Sequence, residues 1–365
     1  MALSFGTNNN LTLNYNGSIA VNELISSDDT NYLFLMITNV ILLGFISFLG
    51  FISNAANMAI FLKMRLPDSM TVELFSLSLA DFLITALELG IVSMDIIDRL
   101  CPLISVDLKA LSRVHFAWAV NAAYLISCWI TVIISLERCL SVAYPFRVKD
   151  LFTMQRSCLA VLFVYGVHVL MFVPGFVIEK MEWVYTGPRD YNSSSSLISD
   201  KWTYTIISSY ASAQVESLLR LICSFFLFFV SQTVLFLSSL WMAVSLRNSS
   251  RIRNTRETTK VASHRIAQLT KKEAKLIKMV LFLSFLHLVC NLPRLLLLVI
   301  YYFYPWSSAV ERRNSINITW AVTADFSLVT CFTSCCGYYH LNTKYRQIAH
   351  NFLREKRKNL GRKLA

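Results

Sequence analysis

The sequence has few of the residues that loops and water-exposed surfaces require. Only 10 of the 365 residues are Gly and 7 are Pro, and 15% are charged, whereas 55% are hydrophobic. So few turn-forming residues argue against a loop-rich fold. A mean hydropathy of +0.52 is too apolar for an ordinary soluble domain.

Motifs that would carry catalysis or bind nucleic acid are also absent. The six scattered His residues form neither His-x-x-x-His nor Glu-x-x-His, so no helical metal site is indicated. The net charge of +12 could suit nucleic acid, but the basic residues lie between apolar runs and no nucleic-acid-binding motif is present. We therefore expect no enzyme activity, no metal and no nucleic-acid partner.

The nine Cys residues do not indicate a disulfide framework. Eight of them fall in or beside apolar runs, and only Cys101 falls in a loop. The first ten residues have neither a basic region nor an apolar core, so we expect no cleaved signal peptide. The first apolar run would then act as the membrane signal itself.

Seven apolar runs are each long enough to cross a bilayer, which requires about 20 residues. They lack the period-two alternation of strands. We place them at Tyr32–Leu62, Met70–Ile97, Ser112–Val142, Arg156–Ile178, Gln214–Leu246, Glu273–Phe303 and Ile316–His340. The sequence predicts an all-α bundle of seven transmembrane helices over residues 32–340, with an N-terminal tail at 1–31.

The segment 341–365 predicts an eighth, amphipathic helix on the membrane surface, followed by a short basic tail. Its apolar residues share one helical face: Tyr345, Ile348, Ala349, Phe352 and Leu353. Such a helix lies on an anionic inner leaflet. The alternative is an ordinary solvated basic tail.

The placement of charge predicts the orientation of the bundle. Of the 34 Lys and Arg residues, 24 lie in the four segments that face the cytoplasm if the N-terminus is outside. Four glycosylation sequons fall on the outer side in this orientation, at Asn10, Asn16, Asn192 and Asn317. We expect a multi-pass protein of the plasma membrane with an extracellular N-terminus.

An acidic and a basic residue end the third apolar run. Glu137 and Arg138 are costly at that depth unless they are paired or meet water. One interpretation is a helix end from which Arg138 extends to the interface. The other is a switch, in which Glu137 holds Arg138 until Arg138 is recruited elsewhere.

Further motifs keep a coherent spacing along the chain. They are Asn54, Leu77-Ser-Leu-Ala-Asp81, Glu137-Arg138-Cys139, Pro145-Phe146, Cys290-Asn-Leu-Pro293, and Tyr338 with Asn342 and Tyr345. With seven spans and a surface helix, the chain resembles the class A (rhodopsin-like) G-protein-coupled receptors over about residues 33–353. Phrases such as Glu137-Arg-Cys-Leu-Ser-Val-Ala are most similar to invertebrate, particularly molluscan, chemosensory receptors.

The resemblance implies a set of residues for switching and G-protein coupling. They are Glu137, Arg138, Cys139, Pro145, Phe146, Glu273 and Tyr338. Glu273 lies twenty residues before Pro293, where the family often has an acidic side chain that holds the third-helix arginine in the inactive state. The alternative is that Glu273 pairs with neighbouring Lys residues on the helix surface.

The resemblance also implies a sodium and water site around Asp81. A buried carboxylate needs a cation, a proton or hydrogen-bond donors. Asn54, Ser334 and Thr330 are the donors we expect beside Asp81.

The chain departs from the family pattern at several positions. The sixth helix has His287 and Asn291 where the family has Phe and Trp, and the seventh has Ser334-Cys335 in place of Asn-Pro. Arg113 replaces the third-helix Cys, and the second outer loop has no Cys. We therefore expect the usual disulfide to be missing, and the usual activation relay is in question.

Ten residues are candidates for contact with a ligand between the outer halves of the helices: Glu88, Trp118, Val120, Asn121, Tyr124, Arg220, Asn291, Arg294, Trp320 and Asp325. His287 could join the same wall. Arg294 follows the kink proline and should face inward. It either receives an acidic ligand or pairs with Asp325 or Glu88 as an interhelical salt bridge.

These observations favour a receptor for an extracellular small-molecule or peptide ligand that activates a heterotrimeric G protein. A retinal photoreceptor needs a Lys in the seventh run, and Ile316–His340 has none. Inverted repeats typical of a transporter are also missing. A chemosensory role is the first interpretation and a neuropeptide receptor the second. A seven-helix ligand-gated channel of the gustatory or odorant type, with its N-terminus inside, is the alternative of another class.

Overall fold

The computed structural model describes ten stretches of the chain: 40–66, 68–101, 105–144, 152–185, 202–207, 214–215, 218–219, 221–255, 263–303 and 310–364. The predicted tail at 1–31 lies outside them, as do the first eight residues of the predicted first run.

Eight long helices follow one another in the order that the sequence predicts. They are α1 Val40–Lys63, α2 Ser69–Leu100, α3 Leu108–Ala143, α4 Met154–Ile178, α5 Phe229–Thr255, α6 Ser263–Phe303, α7 Val310–Leu341 and α8 Thr343–Leu364. Within α3, Arg113–Ala117 is π-helical, and the π-helical turn Leu221–Phe228 leads directly into α5. The all-α bundle is confirmed.

Six of the described helices, α1 to α6, are long and apolar enough to cross a membrane. Helix α7 is 32 residues long and packs against α6. Many large apolar side chains point away from the bundle, as on α4, where Leu162, Phe163 and Leu170 are each more than two-thirds exposed. Such a surface is stable when lipid covers it.

Polar residues mark where several helices begin. The Asp68 carboxylate accepts a hydrogen bond from the Thr71 backbone N–H at 2.8 Å and so caps α2. Asp107 caps α3 in the same way through the Ala110 N–H at 2.9 Å. The Asn342 side chain accepts from the Tyr345 N–H at 3.1 Å, which starts α8 directly after α7.

Helix α3 lies at the centre of the bundle, in contact with α2, α4, α5 and α6. Its side chains join two apolar cores. One core lies at the end of the bundle near α8 and includes Phe61, Ile130 and Tyr338. The other lies at the opposite end and includes Tyr124 and Phe228.

A β-hairpin, which the sequence did not predict, lies between α4 and α5 along the chain. Its strands β1 Lys180–Tyr185 and β2 Trp202–Ile207 are antiparallel. The Tyr204 carbonyl accepts from the Asp107 N–H at 3.0 Å, and the Thr205 hydroxyl donates to the Asp107 carboxylate at 3.0 Å. The hairpin is therefore attached to the start of α3, and we call this the hairpin end of the bundle and the opposite one the α8 end.

That attachment is non-covalent. All nine cysteines are among the described residues and all are free, including the exposed Cys101. Arg113, at the position where the family has a cysteine, forms an ion pair with Glu179 at 3.6 Å, just before β1. Hydrogen bonds and this ion pair hold the hairpin where a disulfide would otherwise do so.

Glycine lets α3 and α4 approach closely at one point. A Cβ on Gly175 would lie 2.7 Å from Cδ2 of the Trp118 ring, whereas a Cβ on Gly166, in the same helix, would meet no atom within 4 Å. The Trp118 ring also lies against Phe172 of α4, with ring centroids 5.9 Å apart. The absence of a side chain at Gly175 therefore seats Trp118 in the α3–α4 interface.

We expect Gly175→Ala to destabilise the protein by about 1–3 kcal/mol, because the Trp118 ring must move to admit the methyl group. Gly166→Ala is the matched control, and it should leave stability unchanged or raise it by up to about 1 kcal/mol through helix propensity. Thermal unfolding of the purified protein in detergent measures both. Equal midpoints for the two variants would contradict the proposed close contact.

Candidate functional site

Glu137 and Arg138 meet at the α8 end of α3. The Arg138 guanidinium donates from Nη2 to Oε1 of Glu137. The Ser69 hydroxyl, at the start of α2, donates to the same oxygen at 3.0 Å. Both side chains are largely buried, and Cys139 is half-buried against the core at this end. The arginine is thus held by an acid of its own helix, while α2 fixes that acid.

Several residues of the predicted sites lie outside the described part of the chain. They are Asn10, Asn16, Pro145, Phe146, Asn192 and Arg220. Glu273, Asn317 and Trp320 lie in described helices, but the description does not extend to their side chains. A contact between Arg138 and Glu273 therefore stays a prediction.

Asp81 is buried mid-helix in α2, and its partner is not one of those predicted. The Ser127 hydroxyl of α3 donates to Oδ1 of Asp81 at 2.6 Å. The expected donors bind backbone carbonyls instead: Asn54 donates to the Cys331 carbonyl at 2.7 Å, and Ser334 donates to that of Thr330 at 2.7 Å.

The physical reason for this correction is local competition. A Ser or Thr hydroxyl inside a helix readily donates to the carbonyl four residues earlier in its own helix. Ser334 donates to the carbonyl four residues earlier, and Thr330 donates to the carbonyl three residues earlier. The hydrogen bond to Asp81 therefore comes from Ser127, on another helix. The sequence does show Ser127 at membrane depth in α3, but the direction in which its side chain points depends on how α3 is rotated.

A small cavity of about 10 Å³ adjoins Asp81, which is room for one water-sized particle. Its polar lining consists of Asp81, Ser127, Thr131, His287, Thr330 and Ser334. His287 therefore belongs to this cavity rather than to the wall of a ligand site, and its Nε2 lies 3.3 Å from the Cys128 sulfur. Among the described residues, no group of three or more His, Cys, Asp or Glu is arranged to hold a metal ion.

A chain of hydrogen bonds joins α8 to α1 and α7. The Tyr345 hydroxyl donates to Asn57 at 2.6 Å, and Asn57 donates to Asn54 at 3.2 Å. Asn54 in turn donates to the Cys331 carbonyl. Burial raises the pKa of the Tyr345 hydroxyl above its usual range, so that group stays protonated as a donor. Tyr338 packs beside Tyr345 and is fully buried.

Arg294 lies in the hairpin-end half of α6 and faces α3. Its guanidinium carbon is 4.4 Å from the centre of the Tyr124 ring, and its Nη2 is 3.5 Å from the Asn121 side-chain oxygen. The Tyr124 hydroxyl donates to Asn291, one turn earlier in α6. Four predicted ligand-site residues are therefore brought together.

The predicted salt bridge from Arg294 to Asp325 or Glu88 is not present. Arg294 instead faces α3, where its guanidinium lies over the Tyr124 ring and donates to the Asn121 side chain. Asp325 is 5% exposed, and both of its oxygens are buried without a hydrogen-bond partner. Glu88 is half-buried and within electrostatic range of Arg294 and Asp325.

Two other predicted ligand residues have different surroundings. Trp118 lies in the α3–α4 interface, against Phe172 and Gly175. Val120 is half-buried against the core at the hairpin end.

The residues between 55 and 336 match the family model "7 transmembrane receptor (rhodopsin family)". The matched range is more than half of the chain and runs from α1 into α7. No curated protein matches the sequence. The helix order and the Glu137–Arg138 pair at the α8 end of α3 agree with this match. The chain belongs to the rhodopsin family of seven-transmembrane receptors, which are multi-pass membrane receptors and not enzymes.

Proposed function

We propose that the protein binds an extracellular chemical ligand at its hairpin end and activates a heterotrimeric G protein at its α8 end. The observation that carries this proposal is the Arg138 guanidinium at the α8 end of α3, which is held by Glu137. The family match supports a receptor over the ligand-gated channel. A chemosensory role follows from the resemblance of several phrases, and a neuropeptide receptor is the second candidate.

The placement of Lys and Arg supports an orientation with the hairpin end outside the cell. In that orientation the plasma membrane is the site of action, the lipid bilayer surrounds α1 to α7, and α8 lies on the inner leaflet. Asn10, Asn16, Asn192 and Asn317 are then on the glycosylated side. The buried apolar face of α8, with Tyr345 and Ala349, suits a helix packed beneath the bundle.

Arg294 supports a ligand that bears a carboxylate. A guanidinium has five N–H donors, and among the described residues Arg294 has one long contact, to Asn121, and lies over the rings of Tyr124 and Phe228. A carboxylate can take two of the remaining donors in a bidentate pair. The buried, unpartnered Asp325 favours a ligand that also carries an ammonium group.

The same cluster offers a route from ligand to switch. Asn291, Pro293 and Arg294 are close together in α6, and a proline weakens the helix at that point by removing one backbone hydrogen bond. A ligand on Arg294 can alter the Tyr124–Asn291 hydrogen bond between α3 and α6. An outward swing of the α8 end of α6 would then free Arg138 for the G protein.

A sodium ion near Asp81 fits the oxygen-rich lining of the adjoining cavity. Asp81 would supply the carboxylate, and Ser127, Thr330 and Ser334 would supply hydroxyl oxygens, which are hard ligands suited to such a cation. Its effect would be to neutralise Asp81 and stabilise one arrangement of α2, α3 and α7.

The orientation predicts that an epitope tag at the N-terminus is detected on intact cells and that a tag at the C-terminus is detected only after permeabilisation. Asn10→Gln with Asn16→Gln should reduce the mass lost on deglycosylation. An N-terminal tag that is detected only in permeabilised cells would contradict this orientation and support the channel.

Ligand-free nucleotide exchange on a panel of G proteins tests the switch. Arg138→Ala should abolish basal exchange, because the residue that engages the G protein is missing. Glu273→Ala should raise it, by up to the roughly 5–150-fold expected of a 1–3 kcal/mol coupling. Arg99→Ala, which removes an arginine at the hairpin end, is the control at matched surface expression. If the wild type and all variants show no basal exchange, the predicted contact between Arg138 and Glu273 loses its support.

Arg294→Gln should lower the potency of carboxylate ligands about 10–100-fold, because a charge-assisted hydrogen bond contributes about 1.5–3 kcal/mol. The measurement is a dose–response screen of small carboxylic acids, amino acids and short peptides, each beside its amide counterpart. Arg99→Gln is the control. An active acid with the same potency on Arg294→Gln would contradict a role for Arg294 in binding.

A further inference from the structure

Glu73 is a buried acid that none of the sequence motifs singles out. It lies one turn into α2, in the apolar phrase Met70-Thr-Val-Glu-Leu-Phe, at the α8 end of the bundle. Its relative exposure is 0%, and neither of its carboxyl oxygens accepts a hydrogen bond from a described residue. A buried carboxylate without donors is costly, so its surroundings must supply a cation or a proton.

The groups that face Glu73 come from two neighbouring helices. From α3 they are the Glu137 carboxyl and the Arg138 guanidinium. From α4 it is the hydroxyl of Ser157, which is also buried and otherwise unpartnered. Glu73 is therefore part of the cluster that restrains the receptor's arginine.

The two carboxyl groups have complementary gaps in their hydrogen bonding. On Glu137, Oε1 accepts from Arg138 and Ser69, whereas Oε2 is buried and has no donor. Glu73 follows Ser69 by one turn of α2 and so lies on the helix face that meets this carboxyl group. If both acids were ionised, neither could donate, and the two negative charges would face each other beside one arginine. A single proton removes the repulsion and supplies the missing donor.

We propose that Glu73 and Glu137 share one proton in the resting receptor, with the Glu73 hydroxyl donating to Oε2 of Glu137. The proton resides on Glu73 because Arg138 and Ser69 stabilise the ionised form of Glu137. The cluster is then electrically neutral, with one carboxylic acid, one carboxylate and one guanidinium. Glu73 is a positioning residue, since it acts on Arg138 through Glu137.

This arrangement makes the hold on Arg138 depend on protons. When Glu73 loses its proton, Arg138 faces two carboxylates instead of one, and removing the guanidinium costs more. Release therefore becomes less favourable as pH rises on the α8 side of the membrane. For one proton, the change is at most tenfold per pH unit.

Infrared spectroscopy tests the shared proton without reference to signalling. A protonated carboxylic acid has a C=O stretch that a carboxylate lacks, so the difference between wild type and Glu73→Gln should show the loss of a protonated acid. Glu182→Gln, at an exposed position of the hairpin, is the matched control and should show the loss of carboxylate bands. Loss of carboxylate bands in Glu73→Gln would overturn the proposal.

A second measurement tests the consequence for the switch and rests on the proposed function. Purified receptor in lipid nanodiscs is assayed for ligand-free nucleotide exchange on a G protein, from neutral to alkaline pH. Wild type should lose activity as pH rises. Glu73→Gln, whose amide still donates to Glu137, should keep the neutral-pH activity and lose this part of the pH dependence.

The outcomes separate the two proposals. A protonated acid seen by infrared in a receptor that activates no G protein would leave the shared proton standing and contradict the proposed function. An alkaline pH dependence that is the same in wild type and Glu73→Gln would overturn the role of Glu73 in the switch. A matched thermal midpoint for the two proteins shows that folding is not the cause of any difference.

Discussion

A polar group buried inside a membrane bundle must find its partner within the protein, since lipid offers none. This constraint explains why the helices of this receptor fit together as they do. Asp81 joins α2 to α3 through Ser127, and Asn54 joins α1 to α7 through the Cys331 carbonyl. Each contact fixes the rotation of two helices, which apolar packing alone leaves adjustable.

The charged residues that lack a full set of partners occupy the two ends of the bundle. Among the residues that the structure describes, they include Arg294, Asp325 and Glu179 at the hairpin end, and Glu73, Glu137 and Arg138 at the α8 end. A buried charged group with unused hydrogen-bonding capacity favours the binding of a ligand or a proton that supplies the missing partner. The middle of the bundle, around Asp81, connects these ends through contacts that are mostly satisfied.

The lengths of the apolar runs were enough to predict the helices, and helical periodicity was enough to predict the apolar face of α8. The partners within the bundle could not be predicted, because they depend on how each helix is rotated. Ser127 binds Asp81 where Asn54 and Ser334 were expected, and Trp118 lies against Gly175 in the α3–α4 interface. Glu73 escaped notice because one acid near a helix start is ordinary in sequence, and only burial shows it to be unusual.

The hairpin at the other end is attached to α3 without a covalent bond. A few hydrogen bonds around Asp107 and one ion pair at Arg113 attach it to α3, and each such hydrogen bond contributes only about 0.5–1.5 kcal/mol. Because no disulfide is part of this attachment, a reducing agent does not release it.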